Sequence, residues 1–464
     1  MINLNATATD ILRGIREGRT KAADLMAATF DRIEAANPGV NALVSVLDRE
    51  DALELAHQAD QTEPVGPLHG LPIAVKDLAN AAGFVTTMGS PLFASAKAAK
   101  TDDIMVARMR DAGAIVIGKT NTPEFGLGSH TTNPVFGPTR NPWDVSSTAG
   151  GSSGGAAVAL ATGMLALADG SDMMGSLRNP AGWTGTYGLR PSFGAVPSEP
   201  HADSFLPQLS TNGPMARNPK DLALLLSVQA GRDPRQPHHT PLDQAGPSRP
   251  LRIGWLADWE GAFPMESGIL DVCSDAIVAL DALGHEIVPL SPGFAADALW
   301  DSWITLRSWQ VATSLAPLEA LPNGRAHLNR QAIWELDRGK AMLALEVHKA
   351  SVTRSQWFAQ AARLFEQVDV LALPTAQCWP FDVDMDWPKE IAGQSMDTYH
   401  RWMEVVVPAS LIGLPALAVP AGFGSHGLPM GLQLIGPRGS DFRLLQMAEA
   451  YHTAVDWTSK RPDV

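Results

Sequence analysis

Residues 150–155 read GGSSGG, and the chain continues into the apolar stretch AAVALATGMLALADG at residues 156–170. Six small residues in a row usually form a flexible, solvated tether. A tether does not normally lead straight into a buried segment, so the serine pair between these glycines calls for another explanation. We predict that the stretch enters a buried helix covering residues 156–168.

A further serine, Ser176, lies in a second turn of small residues, SDMMGSLR at residues 171–178. Ser176 follows Ser152 by 24 positions, with one predicted helix between them. A single intervening helix can return both serines to the same end of a sheet. Small residues let the backbones approach closely there.

Lys76 ends the apolar run PIAVK at residues 72–76, which reads as a buried strand. Strand ends are where ligand and catalytic groups collect in α/β sheets, so Lys76 is predicted to meet the two serines. Burial disfavours the charged form of a lysine and lowers its pKa. A neutral lysine amine is a base, and the sequence offers no histidine with an obvious catalytic context.

Two other patterns in this region suggest different chemistry. Residues 113–120, GAIVIGKT, match the phosphate-loop pattern, but the β-branched interior favours a strand bracketed by glycines over a phosphate cradle. Gly150, Ser152 and Gly154 match the nucleophile elbow of α/β-hydrolases. The residues before this elbow, RNPWDVSSTA, are typical of a turn and not of a core strand. Three histidines lie in glycine-containing loops, namely His69, His130 and His426. We expect them to form structural hydrogen bonds and not to act in catalysis.

Composition narrows the class of protein. The chain has 464 residues, 45% hydrophobic and 18% charged, which is an ordinary globular balance. Its formal charge of −14 repels phosphate backbones, so no nucleic-acid partner is expected. Neither a signal peptide nor a run long enough to span a membrane is evident, and a cytoplasmic protein without membrane contact is predicted. The two cysteines, Cys273 and Cys378, are expected to be core thiols.

Helical and strand-like segments alternate along the chain, which favours the α/β class. The length permits two or three domains or one large α/β body. A proline-rich connection is predicted at residues 229–250, and residues 298–366 read as mostly helical. The predicted architecture is a central mixed β-sheet surrounded by helices. The tryptophans between residues 299 and 334 are expected to pack in the core, with the lining of a hydrophobic cleft as the alternative.

Many segments together resemble the amidase signature family. The resemblance covers about residues 7–455 and is least clear between residues 298 and 366. Besides the two serine turns, the family-like segments, in family order, are PLHGLPIAVKD, GKTNTPEFG, NPVFGPTRNPWD, GLRPSFGAVP, LIGLPALAVPAGF and GLPMGLQLIGP. The resemblance implies the family fold as one domain over residues 1–464, with a signature core at about 67–200 and a substrate-shaping helical part at about 298–366.

The resemblance also implies roles for three side chains. Ser176 is similar to the family's nucleophile, Ser152 to its serine preceded by a cis peptide bond, and Lys76 to its base. The implied oxyanion hole consists of backbone amides of Met173, Met174, Gly175 and Ser176. No metal or organic cofactor is implied.

We also predict the conformation or the contacts of several residues near Ser176. Met174 stands where the family usually has a small residue, so we expect it to have a negative φ and to fill the core or narrow the acyl pocket. Asp172 and Arg178 are expected to pair and hold the turn. The loop GLGS is expected to contact substrate, namely Gly126, Leu127, Gly128 and Ser129.

The predicted function is hydrolysis of a C–N acyl bond in a small amide, aryl amide or carbamate through an acyl-Ser176 intermediate. Aryl acylamidase and urethanase activities both fit, and a homodimer is a candidate assembly. Three alternatives stay open. They are the glutaminase subunit of a tRNA-dependent amidotransferase, a Ser-His-Asp α/β-hydrolase and a catalytically silent binding protein.

Overall fold

The computed structural model describes residues 2–244, 246, 249–455 and 457–464. Its α-helices are, in order, α1 (Ala8–Arg16), α2 (Ala22–Val40), α3 (Arg49–Asp60), α4 (Ile104–Asp111), α5 (Gly154–Ala161), α6 (Arg178–Thr184), α7 (Pro219–Gln229), α8 (Ile269–Ala282), α9 (Ala296–Glu319), α10 (Arg330–Ala341), α11 (Ala344–Gln367), α12 (Val407–Leu411) and α13 (Asp441–Val455). Short 3-10 turns lie at Glu124–Gly126, Gly324–His327, Arg401–Val406 and Trp457–Ser459.

The strands are, in order, β1 (Leu43–Val44), β2 (Pro72–Lys76), β3 (Ile115–Thr120), β4 (Arg140–Asn141), β5 (Asp144–Thr148), β6 (Leu167–Asp172), β7 (Tyr187–Arg190), β8 (Thr211–Ala216), β9 (Arg252–Trp255), β10 (Glu286–Pro289), β11 (Val370–Pro374), β12 (Glu390–Ile391), β13 (Gln394–Ser395), β14 (Ala416–Phe423) and β15 (Pro429–Ile435). Within the described residues the largest sheet has eight strands in the order β10-β9-β11-β15-β14-β7-β8-β6.

The large sheet is mixed. Strand β9 pairs in parallel with β10 and β11, whereas the pairs from β11 through β15, β14, β7 and β8 to β6 are antiparallel. Every residue of β11 and β15 is buried, because helices cover the sheet on both sides. The prediction of a mixed sheet surrounded by helices is confirmed.

A smaller sheet, in the order β1-β3-β2, lies against the β6 edge of the large one. Strands β2 and β3 are parallel, and Lys76 pairs with Thr120 at their carboxyl ends. Between the two sheets, the Lys76 N–H donates to the Asp169 carboxylate of β6 at 3.1 Å. The Asp169 side chain therefore links β6 to β2 at Lys76, the last residue of β2.

The helix predicted at residues 156–168 is too long. Helix α5 ends at Ala161, and Gly163 follows with a φ of 76°, the left-handed conformation that commonly terminates helices. The next residues, LADGSD, form β6 and pair along their whole length with β8. A helix and a strand therefore separate Ser152 from Ser176.

The phosphate-loop pattern lies largely within a strand. Strand β3 includes Gly118 and Lys119, so the prediction that the glycines bracket the strand is wrong for Gly118. Lys119 is fully buried, with its amine 3.8 Å from the Asp77 carboxylate. Its amine also donates to the carbonyl oxygen of Ala79, so Lys119 is held in the core and this stretch is a strand, not a phosphate loop.

The helical part predicted at residues 298–366 is present as α9, α10 and α11. Trp300 and Trp303 of α9 are buried and stack at 5.6 Å, which confirms core packing for them. Cys273 and Cys378 are buried free thiols, as predicted. Across the described ranges, none of the helices combines the length and apolar character that a bilayer crossing needs.

Candidate active site

Lys76 extends from the end of β2 into a group of serine hydroxyls. Its Nζ lies 2.8 Å from Oγ of Ser152, 2.8 Å from Oγ of Ser153 and 3.1 Å from Oγ of Ser171. Only 1% of Lys76 is exposed. The predicted contact between Lys76 and Ser152 is present, and two further hydroxyls share the amine.

Burial lowers the pKa of Lys76 to about 7, although the carboxylates of Asp169 and Asp172 oppose the shift. Burial also raises the pKa of Asp169 to about 6. A large fraction of the Lys76 amine is therefore neutral at neutral pH. A neutral amine in contact with a hydroxyl can accept its proton.

The GGSSGG segment is a tightly packed turn and not a tether. The peptide bond between Gly151 and Ser152 is cis, as the resemblance implies. A Cβ at Gly155 would lie 2.3 Å from the backbone nitrogen of Asn121. A side chain at this position would force the start of α5 away from β3, so the glycine permits the close approach that brings Ser152 to Lys76.

Ser176 lies in the turn between β6 and α6. The N–H of Ser153 donates to the carbonyl oxygen of Ser176 at 3.2 Å, which joins the two serine turns directly. Ser152 and Ser176 line the same cavity. In the described part of the chain, however, their hydroxyls do not hydrogen-bond to each other, so the second step of the predicted relay rests on proximity alone.

Asp172 holds the turn that carries Ser176. Its carboxylate lies 3.0 Å from Nε of Arg178 and 3.1 Å from Nη1 of Arg190, and all three side chains are fully buried. Burial alone would raise the pKa of Asp172, but the two guanidinium groups hold it well below the ordinary value. The carboxylate also accepts the N–H of Gly175 at 2.9 Å and of Leu177 at 3.2 Å. The predicted pairing with Arg178 is present.

The four amides predicted for the oxyanion hole are not equivalent. Gly175 has a φ of 78°, and its N–H is occupied by Asp172. Among the residues that the structure describes, the N–H groups of Met173, Met174 and Ser176 have no hydrogen-bond acceptor. These three amides are the available donors at the predicted nucleophile, Ser176.

The side chains of the two methionines before Gly175 lie in different environments. Met174 is 3% exposed and belongs to the main core, and its φ is not positive, as predicted. Met173 instead lines the cavity that contains Ser152 and Ser176. Met173, and not Met174, is therefore the methionine that shapes the space beside Ser176.

The cavity at the serines has a volume of about 620 Å³. Gly126 and Leu127 of the predicted substrate loop line it, whereas Gly128 and Ser129 line a neighbouring cavity of about 550 Å³. Leu127 contributes to both cavities. The apolar side chains of the first cavity are Leu78, Met88, Phe93, Phe125, Leu127, Met173, Ala202, Val311, Leu315, Pro317 and Leu318.

Helix α9 supplies one wall of this cavity, from Arg307 to Leu318. None of the described tryptophans lines it. The helical part predicted at residues 298–366 thus contributes to the wall of this cavity, through residues other than tryptophan.

The histidines have structural partners. The ring nitrogens of His130 lie 2.8 Å from Oγ1 of Thr148 and 2.9 Å from the carbonyl oxygen of Val383. His69 contacts the carbonyl of Ala59 at 3.0 Å. The strand before GGSSGG, β5, is half of a short hairpin outside the large sheet. These features contradict a nucleophile elbow with a histidine base.

Sequence reasoning missed Ser153, Ser171 and Asp169. The spacing favours Ser152 over Ser153, yet both hydroxyls lie 2.8 Å from the Lys76 amine. Ser171 and Asp169 lie on β6, a stretch for which the sequence predicts part helix and part turn. Recognising LADGSD as a strand would have placed both beside Lys76.

The chain is similar to known proteins over nearly its whole length. The family model described as Amidase matches residues 24–445. The chain is 32% identical to an acylamidase from Rhodococcus erythropolis, over 98% of this chain and 97% of that protein. It is 35% identical to a glutamyl-tRNA(Gln) amidotransferase subunit from Thermus thermophilus, over 96% and 97% of the two chains. The crystal structure of a bacterial aryl acylamidase of the amidase signature enzymes superposes with a TM-score of 0.91, at 29% identity over 98% and 97% of the chains.

Proposed function

The chain belongs to the amidase signature family of C–N hydrolases, and from this premise we propose that it hydrolyses apolar amides, aryl amides or carbamates through an acyl-Ser176 intermediate. The observation that carries the proposal is the buried Lys76 amine 2.8 Å from the Ser152 hydroxyl, in the cavity that Ser176 also lines. A base, a relay hydroxyl and a nucleophile are the parts that acyl transfer needs.

The proposed reaction moves one proton along the three side chains. Neutral Lys76 takes the proton of Ser152, and Ser152 takes the proton of Ser176 as the Ser176 oxygen attacks the carbonyl carbon. A C–O bond forms, and the C–N bond breaks when the relay returns the proton to the leaving nitrogen. Water then attacks the acyl-enzyme by the same steps and releases the acid or carbamic acid.

The negative charge that develops on the carbonyl oxygen is proposed to bind the amides of Met173, Met174 and Ser176. Each donor of this kind lowers the barrier by about 3 kcal/mol. The Asp172 carboxylate supports them indirectly, because it fixes the turn through Gly175, Leu177 and the two arginines.

The cavity favours an apolar substrate. Side chains such as Phe93, Phe125 and Leu315 form much of its wall, and an aryl or alkyl group on the acyl or amine side would gain about 25 cal/mol for each Å² of apolar surface buried. Aryl amides therefore fit better than glutamine, whose ammonium and carboxylate groups would require charged partners.

We expect the purified chain alone to release 4-nitroaniline from 4-nitroacetanilide, because the proposed nucleophile, base and relay all lie in this one chain. The measurement is absorbance of the released aniline, compared with hydrolysis of phenyl carbamates and of glutamine. A matched reaction with the chain pretreated with a fluorophosphonate should lose activity in proportion to labelling. Failure on every amide and carbamate, with the enzyme folded, would contradict the proposal.

The glutaminase alternative is favoured by the likeness to the tRNA-dependent amidotransferase from Thermus thermophilus. It predicts glutamine hydrolysis that depends on partner proteins and no turnover of aryl amides by the isolated chain. The same assay separates the two functions, since only the proposed amidase acts on 4-nitroacetanilide alone.

The pH dependence of kcat/KM should report the Lys76 amine. The amine must be neutral to act as a base, so activity should fall about tenfold per unit as pH drops below the pKa of about 7 and level off above it. Asp169→Asn removes a charge that raises this pKa, so the acid limb should move to lower pH. The profile is measured over a range in which circular dichroism shows the protein folded. An acid limb near pH 4 in the wild type would contradict a lysine base.

A further inference from the structure

Arg307, Glu335 and Tyr399 form a buried hydrogen-bonded group beside the proposed active site. Nε of Arg307 donates to Oε1 of Glu335 at 2.6 Å, and Nη2 donates to the Tyr399 hydroxyl oxygen at 2.8 Å. The Tyr399 hydroxyl in turn donates to Oε1 of Glu335 at 2.6 Å. Two of the three guanidinium nitrogens are thereby fixed in place.

The charges within this group balance. Burial would raise the pKa of Glu335, but the charge of Arg307 holds it below the ordinary value, so Glu335 is an anion. Burial raises the pKa of Tyr399 and lowers that of the adjacent His400 to about 4, so both are neutral at pH 7. One cation and one anion remain, and the Arg307 charge is already compensated.

The third nitrogen, Nη1, contacts Met173, which lines the cavity. Its partner among the described residues is the Met173 sulfur at 3.2 Å, and a thioether is a weak acceptor. Nη1 carries two N–H groups, so most of its donor capacity is unused. The Arg307 side chain is only 4% exposed, yet it lines the cavity together with Ser152, Ser176 and Met173.

Nη1 is a strong hydrogen-bond donor at a cavity whose surface is mostly apolar. Phe125, Leu127, Val311 and Leu315 also line this cavity, so a strong donor is placed in a wall that is otherwise largely apolar. A buried donor without a strong acceptor costs free energy, and a ligand that supplies one regains it. The flexible side chain of Met173 can move aside for such a ligand.

Building on the hydrolase function proposed above, we propose that Arg307 is a specificity-determining residue whose Nη1 binds a neutral oxygen acceptor of the substrate, separate from the scissile carbonyl. A ketone, ester or second carbamate carbonyl is the chemical class that fits. Because Glu335 already balances the guanidinium charge, a neutral acceptor is favoured over a carboxylate. Glu335 and Tyr399 act as positioning residues for Arg307.

The variant that tests this is Arg307→Lys. Lysine keeps the positive charge beside Glu335 but has one nitrogen in place of three, so it cannot both hold the ion pair and reach the substrate. Two matched substrate pairs are compared by kcat/KM, levulinic anilide with isohexanoic anilide and para-acetylacetanilide with para-isopropylacetanilide. Each pair replaces a carbonyl group by an alkyl group of similar shape, on the acyl side or on the amine side.

We expect the variant to reduce the preference for the acceptor-bearing member by about 10-fold or more in at least one pair, as for loss of a hydrogen bond to a charged group. Electronic effects of the substituent cancel, because each ratio is compared between two enzymes. Should Arg307→Lys fold poorly, as judged by its melting temperature, the charge-balanced double variant Arg307→Met with Glu335→Gln is compared in the same way.

Equal losses for both members of both pairs would overturn the inference while leaving amide hydrolysis intact. Succinic monoanilide provides the carboxylate comparison, and a wild-type preference for it that Arg307→Lys removes would overturn the neutral acceptor. A wild-type enzyme that hydrolyses no anilide in the set, including 4-nitroacetanilide, would overturn the proposed function and the inference with it.

Discussion

Replacing Ser176 by alanine is expected to lower kcat/KM by about 10⁴-fold or more, the scale seen when a nucleophile is removed from a serine relay. The Ser176 oxygen would form the acyl bond, whereas Ser152 serves the proposed relay only by passing the proton. The backbone carbonyl of Ser176, which accepts from Ser153, is retained in the variant. Folding should therefore be preserved. Steady-state kinetics and intact-mass detection of a fluorophosphonate adduct measure the two effects.

Ser210→Ala provides the matched control for this variant, because Ser210 is another serine lining the same cavity. It should retain activity within about threefold and still be labelled, as expected for a substitution outside the reacting group. A Ser176→Ala protein that stays within tenfold of the wild type, or that still forms the adduct, would refute the nucleophile assignment.

Replacing Lys76 by methionine is expected to lower kcat/KM by about 10³-fold or more, comparable to the loss of other general bases. Methionine keeps the apolar stem of the side chain but removes the amine that contacts Ser152, Ser153 and Ser171. Lys76→Arg should be as inactive, because a guanidinium stays protonated and cannot accept the serine proton. Kinetics across pH and melting temperatures are measured for both variants.

Lys119→Met is the control for loss of a buried amine. Lys119 lies on the neighbouring strand with its amine 3.8 Å from the Asp77 carboxylate, and among the described residues its amine hydrogen-bonds to Ala79 and Thr86 and to no serine. Its substitution is expected to lower stability, because Asp77 loses its buried partner, but to leave kcat/KM of the folded protein within about fivefold. Activity in Lys76→Arg close to the wild type would show that a positive charge, and not a base, is required.

The sequence indicates the chemistry better than it indicates the elements that carry it. Lys76 and Ser152 can be brought together from sequence because an apolar strand ends at Lys76 and a turn of small residues surrounds Ser152. The resemblance to a family then supplies their order along the relay. The placement of these side chains depends on local backbone features, strand ends and glycine turns, that short segments encode.

The structural features that could not be predicted from the sequence depend on contacts between residues far apart in the chain. LADGSD lacks the alternation or the β-branched residues of a typical strand, and it becomes β6 because β8 pairs with it. Because β6 lies at this position, Asp172 accepts the N–H of Gly175, and Met173 lines the cavity. Arg307 and Glu335 are 28 residues apart on two helices, and no local pattern joins them.

The contact between strands β2 and β6 affects when, after synthesis, the proposed site can become active. The proposed base belongs to the small sheet, whereas the proposed nucleophile follows the edge strand of the large one, and the Asp169 carboxylate bridges the two. A chain in which only the small sheet had formed would leave Lys76 without Ser171 and the Ser176 turn, and more exposed to water, which favours the protonated amine. By the mechanism proposed above, amide hydrolysis therefore requires both sheets to be docked.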